Sequence, residues 1–151
     1  MNHEKSRRYL DIAVAISKLS KDESTKVGAI VVSPSLEVRT MGYNGAPRGC
    51  GADEDARGSE RPEKYFWMEH AERNAIYNAA RMGVSLLGST LIVTHPPCMD
   101  CARAIVQAGI REVYWPQPDE EFAMRWLEHK YRVIQLFNEC EIYFQEIEKC
   151  D

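Results

Sequence analysis

Apolar positions recur at two periods along this chain, and the alternation between the two predicts its elements. From Ser6 to Leu19, the residues Tyr9, Ile12, Ala13 and Ile16 fall at helical spacing. Val27-Gly28-Ala29-Ile30-Val31-Val32 is an unbroken apolar run of strand length, Ser33-Pro34-Ser35 turns the chain, and Val38 to Tyr43 returns as a second strand. Residues 44–64 show neither period and are rich in Gly, Pro and charge, which predicts a loop. Helical spacing resumes at His70, with Ala71, Ala75, Ile76, Ala79 and Ala80 on the inner side as far as Met82, and Gly83 is placed to end the helix. A third strand is expected over Thr90-Leu91-Ile92-Val93-Thr94. A helix from Cys98 to Gly109 follows, with Ala102, Ile105, Val106 and Ala108 inward. Val113-Tyr114-Trp115 predicts a fourth strand, about Glu120 to Phe137 a last helix, and Ile142-Tyr143-Phe144 a short final strand, with a polar, frayed tail from about residue 145.

The order α-β-β-α-β-α-β-α-β implies an α/β fold with three layers, a mixed five-stranded sheet with helices on both faces. A length of 151 residues fits one domain over residues 1–151 with one real core, and 44% hydrophobic residues fits a globular chain. No apolar run reaches the length of a membrane span and the start, Met1-Asn2-His3-Glu4-Lys5, is polar, so neither a span nor a leader is expected. The five cysteines suggest no disulfide framework, and the expected compartment is the cytoplasm. A net charge of −4, with the basic residues scattered, argues for a small substrate and against a nucleic-acid backbone as partner.

The chemistry concentrates in two short motifs, His70-Ala71-Glu72 and Pro97-Cys98-Met99-Asp100-Cys101. They offer three good zinc ligands, His70, Cys98 and Cys101, and one spare carboxylate, Glu72. Structural zinc sites are usually closed by four protein ligands, whereas hydrolytic sites keep one position open, so three ligands and a free acid read as catalytic. Pro97 suits the first position of a helix that carries both cysteines. Residues two apart on a helix point to nearly opposite sides, so His70 and Glu72 share a target only if it lies ahead of the helix start. The metal is therefore expected in front of two helix N-termini, whose positive ends favour thiolates. A redox Cys-x-x-Cys pair, a closed zinc site completed by Cys50, and a zinc-stabilised interaction module are the competing readings.

The H-x-E and P-C-x-x-C motifs follow the pattern of zinc-dependent base deaminases. The chain further resembles the deoxycytidylate (dCMP) deaminases of the cytidine deaminase superfamily. The likeness rests on Ser24-Thr25-Lys26-Val27-Gly28-Ala29, Gly42-Tyr43-Asn44-Gly45-Ala46-Pro47-Arg48-Gly49, His70 to Ile76, Pro97 to Ala102, and Ile105-Val106-Gln107-Ala108-Gly109-Ile110. It covers roughly residues 6–115. The resemblance implies hydrolysis of dCMP to dUMP and ammonia with one zinc ion, with Glu72 as proton carrier. It implies that Asn44 contacts the sugar, that Thr25 and Lys26, with Arg48, hold the phosphate, and that backbone near Ala71 and Cys98, together with Pro97, frames the base. His95 would line the pocket near ring position C5, which raises the expectation that 5-substituted cytosines are accepted. The resemblance also implies a homo-oligomer, a hexamer in relatives, and activation by dCTP and inhibition by dTTP with Mg2+ near Gly45, Arg48 and Arg81. A second structural zinc near Cys50 is not expected. The runner-up activities are deamination of another cytosine nucleotide or of a base in tRNA or another polynucleotide.

Overall fold

The structure, a computed structural model, describes residues 1–148. Five strands form one mixed sheet in the order β2-β1-β3-β4-β5: β1 Gly28–Val32, β2 Val38–Tyr43, β3 Thr90–Val93, β4 Glu112–Pro116 and β5 Tyr143–Ile147. Strand β1 is antiparallel to both β2 and β3, while β3, β4 and β5 run parallel. The helices are α1 His3–Ser17, α2 Ala56–Ser59, α3 Lys64–Trp67, α4 Ala71–Met82, α5 Met99–Gln107 and α6 Glu120–Glu139.

All five residues of β1 are buried because the sheet is covered on both faces, and its side chains divide by parity. Ile30 and Val32 join Ile92 and Tyr114 beneath α1 through Leu10 and Ala13. Ala29 and Val31 join Leu91, Val93, Val113 and Trp115 on the opposite face, against α4, α5 and α6. The expected three-layer α/β sandwich is thus present, with α1 on one face and the helices of the motif region on the other.

Several local expectations are corrected. Helix α1 starts at His3, since the Asn2 side chain accepts from the Lys5 amide and caps the first turn. It buries Ser6, Leu10, Ala13 and Ser17 and leaves Ile12 exposed. Ala13 and Ser17 meet Gly28, where an added Cβ would stand 2.1 Å from the Ala13 carbonyl oxygen. In α4, Ala80 is exposed and Glu72 takes its place among the buried residues. The span 44–64 holds a short 3-10 turn at Gly51–Glu54 and α2, and α3 starts at its end; four-residue helices are too short to show a period. The final strand runs on to Ile147, so residues 145–147 belong to the sheet and not to a polar tail; residues 149–151, including Cys150, lie outside the described residues. Helix α4 ends as expected, at Gly83 with φ 66° in the left-handed region.

Candidate metal and substrate site

His70 and Cys98 occupy the N-cap positions of α4 and α5, and neither side chain makes a capping hydrogen bond. The place usually filled by Ser, Thr, Asp or Asn is thus given to two metal-binding residue types, whose side chains are free to meet in front of the helix starts. Cys101, one turn into α5, completes the group. The His70 Nδ1 atom stands 3.5 Å from the Cys98 Sγ and 3.5 Å from the Cys101 Sγ. A tetrahedral zinc with its ordinary Zn–N and Zn–S bond lengths sets its nitrogen and sulfur ligands about 3.6 Å apart. The donor set therefore fits a zinc ion in type, number and spacing. Pro97, expected as the first helical residue, instead precedes the N-cap and is buried.

The close approach of helix α4, which follows His70, to the sheet depends on Gly42 of β2. A Cβ there would fall 2.3 Å from the Ala71 carbonyl oxygen and 2.4 Å from the Ala75 amide nitrogen, so only glycine lets β2 carry α4 at this distance. Glu72 is buried, at 4% exposure. Burial pushes its carboxyl up from the usual range, His70 opposes this, and the negative charge of Cys98 adds to it. Among the ligands, hydrogen bonding from Cys101 and His70 pulls the Cys98 thiol down to about 3 against the effect of burial. The same bond to Cys98, with burial, pushes the Cys101 thiol up. His70 is raised to about 8 by its contact with Cys98. The three groups thus share protons among themselves, and a bound cation would displace those protons.

Above this floor opens a cleft of about 400 Å³ lined by His70, Ala71, Glu72 and Cys98 at its base. One wall comes from the segment before β1 and from Asn44. Asn44 donates from Nδ2 to the Thr25 carbonyl at 2.9 Å and to Asp22 at 3.2 Å, and its Oδ1 accepts from the Val27 amide at 2.8 Å. Its side chain is thereby committed to holding the wall, and one acceptor lone pair remains for a ligand. Alternate residues Thr25 and Val27 line the cleft, while Lys26 between them is exposed and does not. Arg48 is also outside, exposed and bonded to Asn78, and Arg81 is exposed near the end of α4. The cations that do line the cleft are Arg61, Lys64 and Arg125. His95 lies in the wall as expected, with its ring 5.1 Å from that of Phe122, and Pro96 rather than Pro97 faces the cleft. Gly45 forms a bridge with Glu69, and a Cβ there would meet Asp53 only at ordinary contact distance, so nothing in its surroundings demands glycine.

The outer wall belongs to α6, which the motifs did not anticipate. Phe122, Arg125, Trp126 and His129 all line the cleft, at the spacing of one helix face. Trp126 donates its indole N–H to the Pro97 carbonyl at 2.9 Å, and His129 accepts the Met99 amide at 3.1 Å. Phe122, Trp126 and His129 at i, i+4 and i+7 on one helix face were the available signal.

One imidazole, two thiols and a buried acid under a cleft define a zinc-dependent hydrolytic site on an α/β sandwich. The family model for the cytidine and deoxycytidylate deaminase zinc-binding region matches residues 3–117, and the chain belongs to that family. A protein of Aliivibrio fischeri described as an uncharacterized deaminase in the luxG 3′ region is 41% identical over 130 residues, 86% of this chain and 84% of that protein. The deoxycytidylate deaminase of Mus musculus is 36% identical over 109 residues, 70% of this chain and 60% of its own length, so the chain spans about three fifths of that relative. The dCMP deaminase of the cyanophage S-TIM5, solved with dCMP and dUMP, superimposes with a TM-score of 0.76 at 30% identity, covering 97% of this chain and 99% of that one. Among the described residues, no helix is long and apolar enough to cross a membrane.

Proposed function

We propose that this protein hydrolyses dCMP to dUMP and ammonia. The observation that carries this reading is the buried Glu72 beside the His70, Cys98 and Cys101 cluster at the base of a cleft of nucleotide size. His70, Cys98 and Cys101 would hold zinc, which supplies Lewis acidity that brings the pKa of water toward neutrality. Glu72 accepts a proton from the attacking water and passes it to N3 of the cytosine, which makes C4 electrophilic. The water oxygen bonds to C4. Glu72 then takes the remaining proton from the new C4 hydroxyl and delivers it to the exocyclic nitrogen, the C4–N bond breaks, ammonia leaves and the C4 carbonyl forms. A buried carboxyl with a raised pKa suits both steps, since it holds a proton readily and gives it up to a basic nitrogen.

The lining of the cleft supports a reading for the rest of the nucleotide. Ala71 and the backbone beside Cys98 frame the base, His95 and Phe122 flank one edge of the cleft, and Thr25 and Asn44 stand on the sugar side. Arg61 and Arg125 replace Lys26 and Arg48 as phosphate partners, because they line the cleft and the other two do not. Arg48 and Arg81 lie apart from the cleft, so control by dCTP or dTTP with Mg2+ belongs to a second site. Exposed Tyr65, Phe66, Met82 and Leu87 offer apolar surface to a homo-oligomer.

The test is ammonia release from dCMP, dCTP, deoxycytidine and 5-methyl-dCMP, with dCTP and dTTP added in parallel as effectors. Turnover of the monophosphates is expected. Glu72→Gln should lower kcat by about three orders of magnitude with zinc content unchanged. Turnover of polynucleotide cytosine or adenine in place of all four would overturn the proposal.

A further inference from the structure

Helix α6 lies beyond residues 3–117, the stretch that the family model matches, yet it makes two directed bonds to the loop that carries Cys98. One is the Trp126 indole to the Pro97 carbonyl at 2.9 Å, and the other is the Met99 amide to His129 Nδ1 at 3.1 Å. They grip the residues on either side of Cys98. The first amides of a helix have no partner within it, and an N-cap side chain normally supplies one. At α5 the N-cap is Cys98, whose sulfur is turned to His70 and Cys101 and makes no capping bond. The amide of Met99, the first residue of α5, is one of these first amides, and it finds its acceptor in His129 on another helix.

We propose that His129 is a positioning residue for the metal site: by accepting the Met99 N–H through Nδ1, it holds the start of α5 so that the Cys98 sulfur stays in ligand geometry. This rests on the assignment of His70, Cys98 and Cys101 as zinc ligands. Groups that orient metal ligands without touching the metal typically contribute 10- to 100-fold to affinity. Removing the acceptor while leaving the rest of α6 in place should therefore loosen zinc at the Cys98 side.

The experiment compares wild type, His129→Ala and His129→Asn as purified full-length chains. Zinc release to a chromogenic chelator is timed, the thiolate-to-metal absorption of the cobalt-substituted proteins is recorded, and the thermal midpoint is taken for the metal-free forms. Asn places an amide oxygen close to where Nδ1 stands, so it restores the acceptor. The expected result is zinc release about tenfold faster in His129→Ala with an altered cobalt spectrum. His129→Asn should stay close to wild type, and the metal-free midpoints of all three should agree within a few degrees. Equal zinc release in wild type and His129→Ala would overturn the inference while leaving the ligand assignment intact. Equal impairment of the Ala and Asn variants would also overturn it, since the acceptor would then not be the cause. A wild-type chain that takes up no zinc would remove the ligand assignment and this inference together.

Discussion

His70 and Cys98 reach the base of the cleft from the first residues of two helices, whereas Arg61 and Arg125 reach its mouth from segments that share no motif. The base is built locally. Each ligand is placed by the start of its own helix, Cys101 follows Cys98 by one turn, and Glu72 follows His70 within the first turn of α4. The mouth is built by tertiary packing, from the excursion between β2 and α4 on one side and from α6 on the other. The contrast separates two demands. Breaking a C–N bond needs a few donors held at fixed short distances, which two helix starts provide once β2 and α6 hold those helices in place. Choosing among nucleotides needs charges placed some way from the reacting carbon, and those can come from any element that passes nearby.

The strongest way to break this contrast is to remove a donor from the base. Cys101→Ala should reduce bound zinc from about one per chain to almost none and abolish ammonia release, because two remaining ligands are too few for a tetrahedral protein site. Metal analysis by mass spectrometry checks this. Full zinc occupancy in Cys101→Ala would mean that the base is not what holds the metal. Gly42→Ala attacks the same region through its support. The added methyl meets backbone atoms at 2.3 and 2.4 Å, so α4 must move away from β2. A loss of about 3 kcal/mol in unfolding free energy is expected, at the upper end for overpacking, and is read from denaturant midpoints at constant slope.

The same contrast explains what could be read from residues alone. The ligands were legible because H-x-E and C-x-x-C are local patterns, and the sheet was legible because Ala29 to Val32 and Leu91 to Val93 are apolar runs bounded by turns. The bond from Trp126 to Pro97 spans 29 residues and that from Met99 to His129 spans 30, so both depend on how α6 packs across α5, which no periodicity reports. Lys26 was expected at the phosphate from the family resemblance and because a phosphate needs donors. Alternation along an extended segment sends neighbours to opposite sides, and the structure gives the inward side to Thr25.

Moving to the mouth, Arg125→Ala should raise the KM for dCMP by about tenfold, the worth of one charge-assisted hydrogen bond to phosphate at a partly exposed site. Turnover of deoxycytidine, which has no phosphate, should not change, and Arg125→Lys should recover part of the loss. Among the described residues, Arg125 directs its charge to a 3.8 Å contact with Glu121 and to the face of Phe122, 5.6 Å from its guanidinium carbon, so it is open to a stronger anion. An equal rise in KM for deoxycytidine would move Arg125 from the phosphate to the wall itself.

The finest effect concerns Asp22, which ties the mouth to the wall. Lys64 meets its Oδ2 at 2.6 Å, Asn44 donates to the same oxygen at 3.2 Å, and Oδ1 accepts from the Ser24 amide at 2.9 Å and the Thr25 amide at 3.1 Å. Burial pushes this carboxyl up, but the bonds from Lys64, Thr25 and Ser24 outweigh it and hold the carboxyl below its ordinary 3.8. A carboxylate whose pKa is depressed on folding stabilises the native state at every pH above the unfolded value, and that contribution disappears as pH falls through the native value. Wild type should therefore lose stability as pH drops below about 4, in addition to the general acid loss shared by all carboxylates. Asp22→Asn keeps an oxygen for the Ser24 and Thr25 amides but gives Lys64 no charge to meet. Its unfolding free energy should sit below that of wild type at pH 7, and the gap should narrow as pH is lowered below about 4. A gap that stays constant from pH 7 to pH 3 would show that the charge on Asp22 contributes nothing. Lys64 would then owe its place at the mouth to Ser24, whose hydroxyl it meets at 2.7 Å, and to packing of α3.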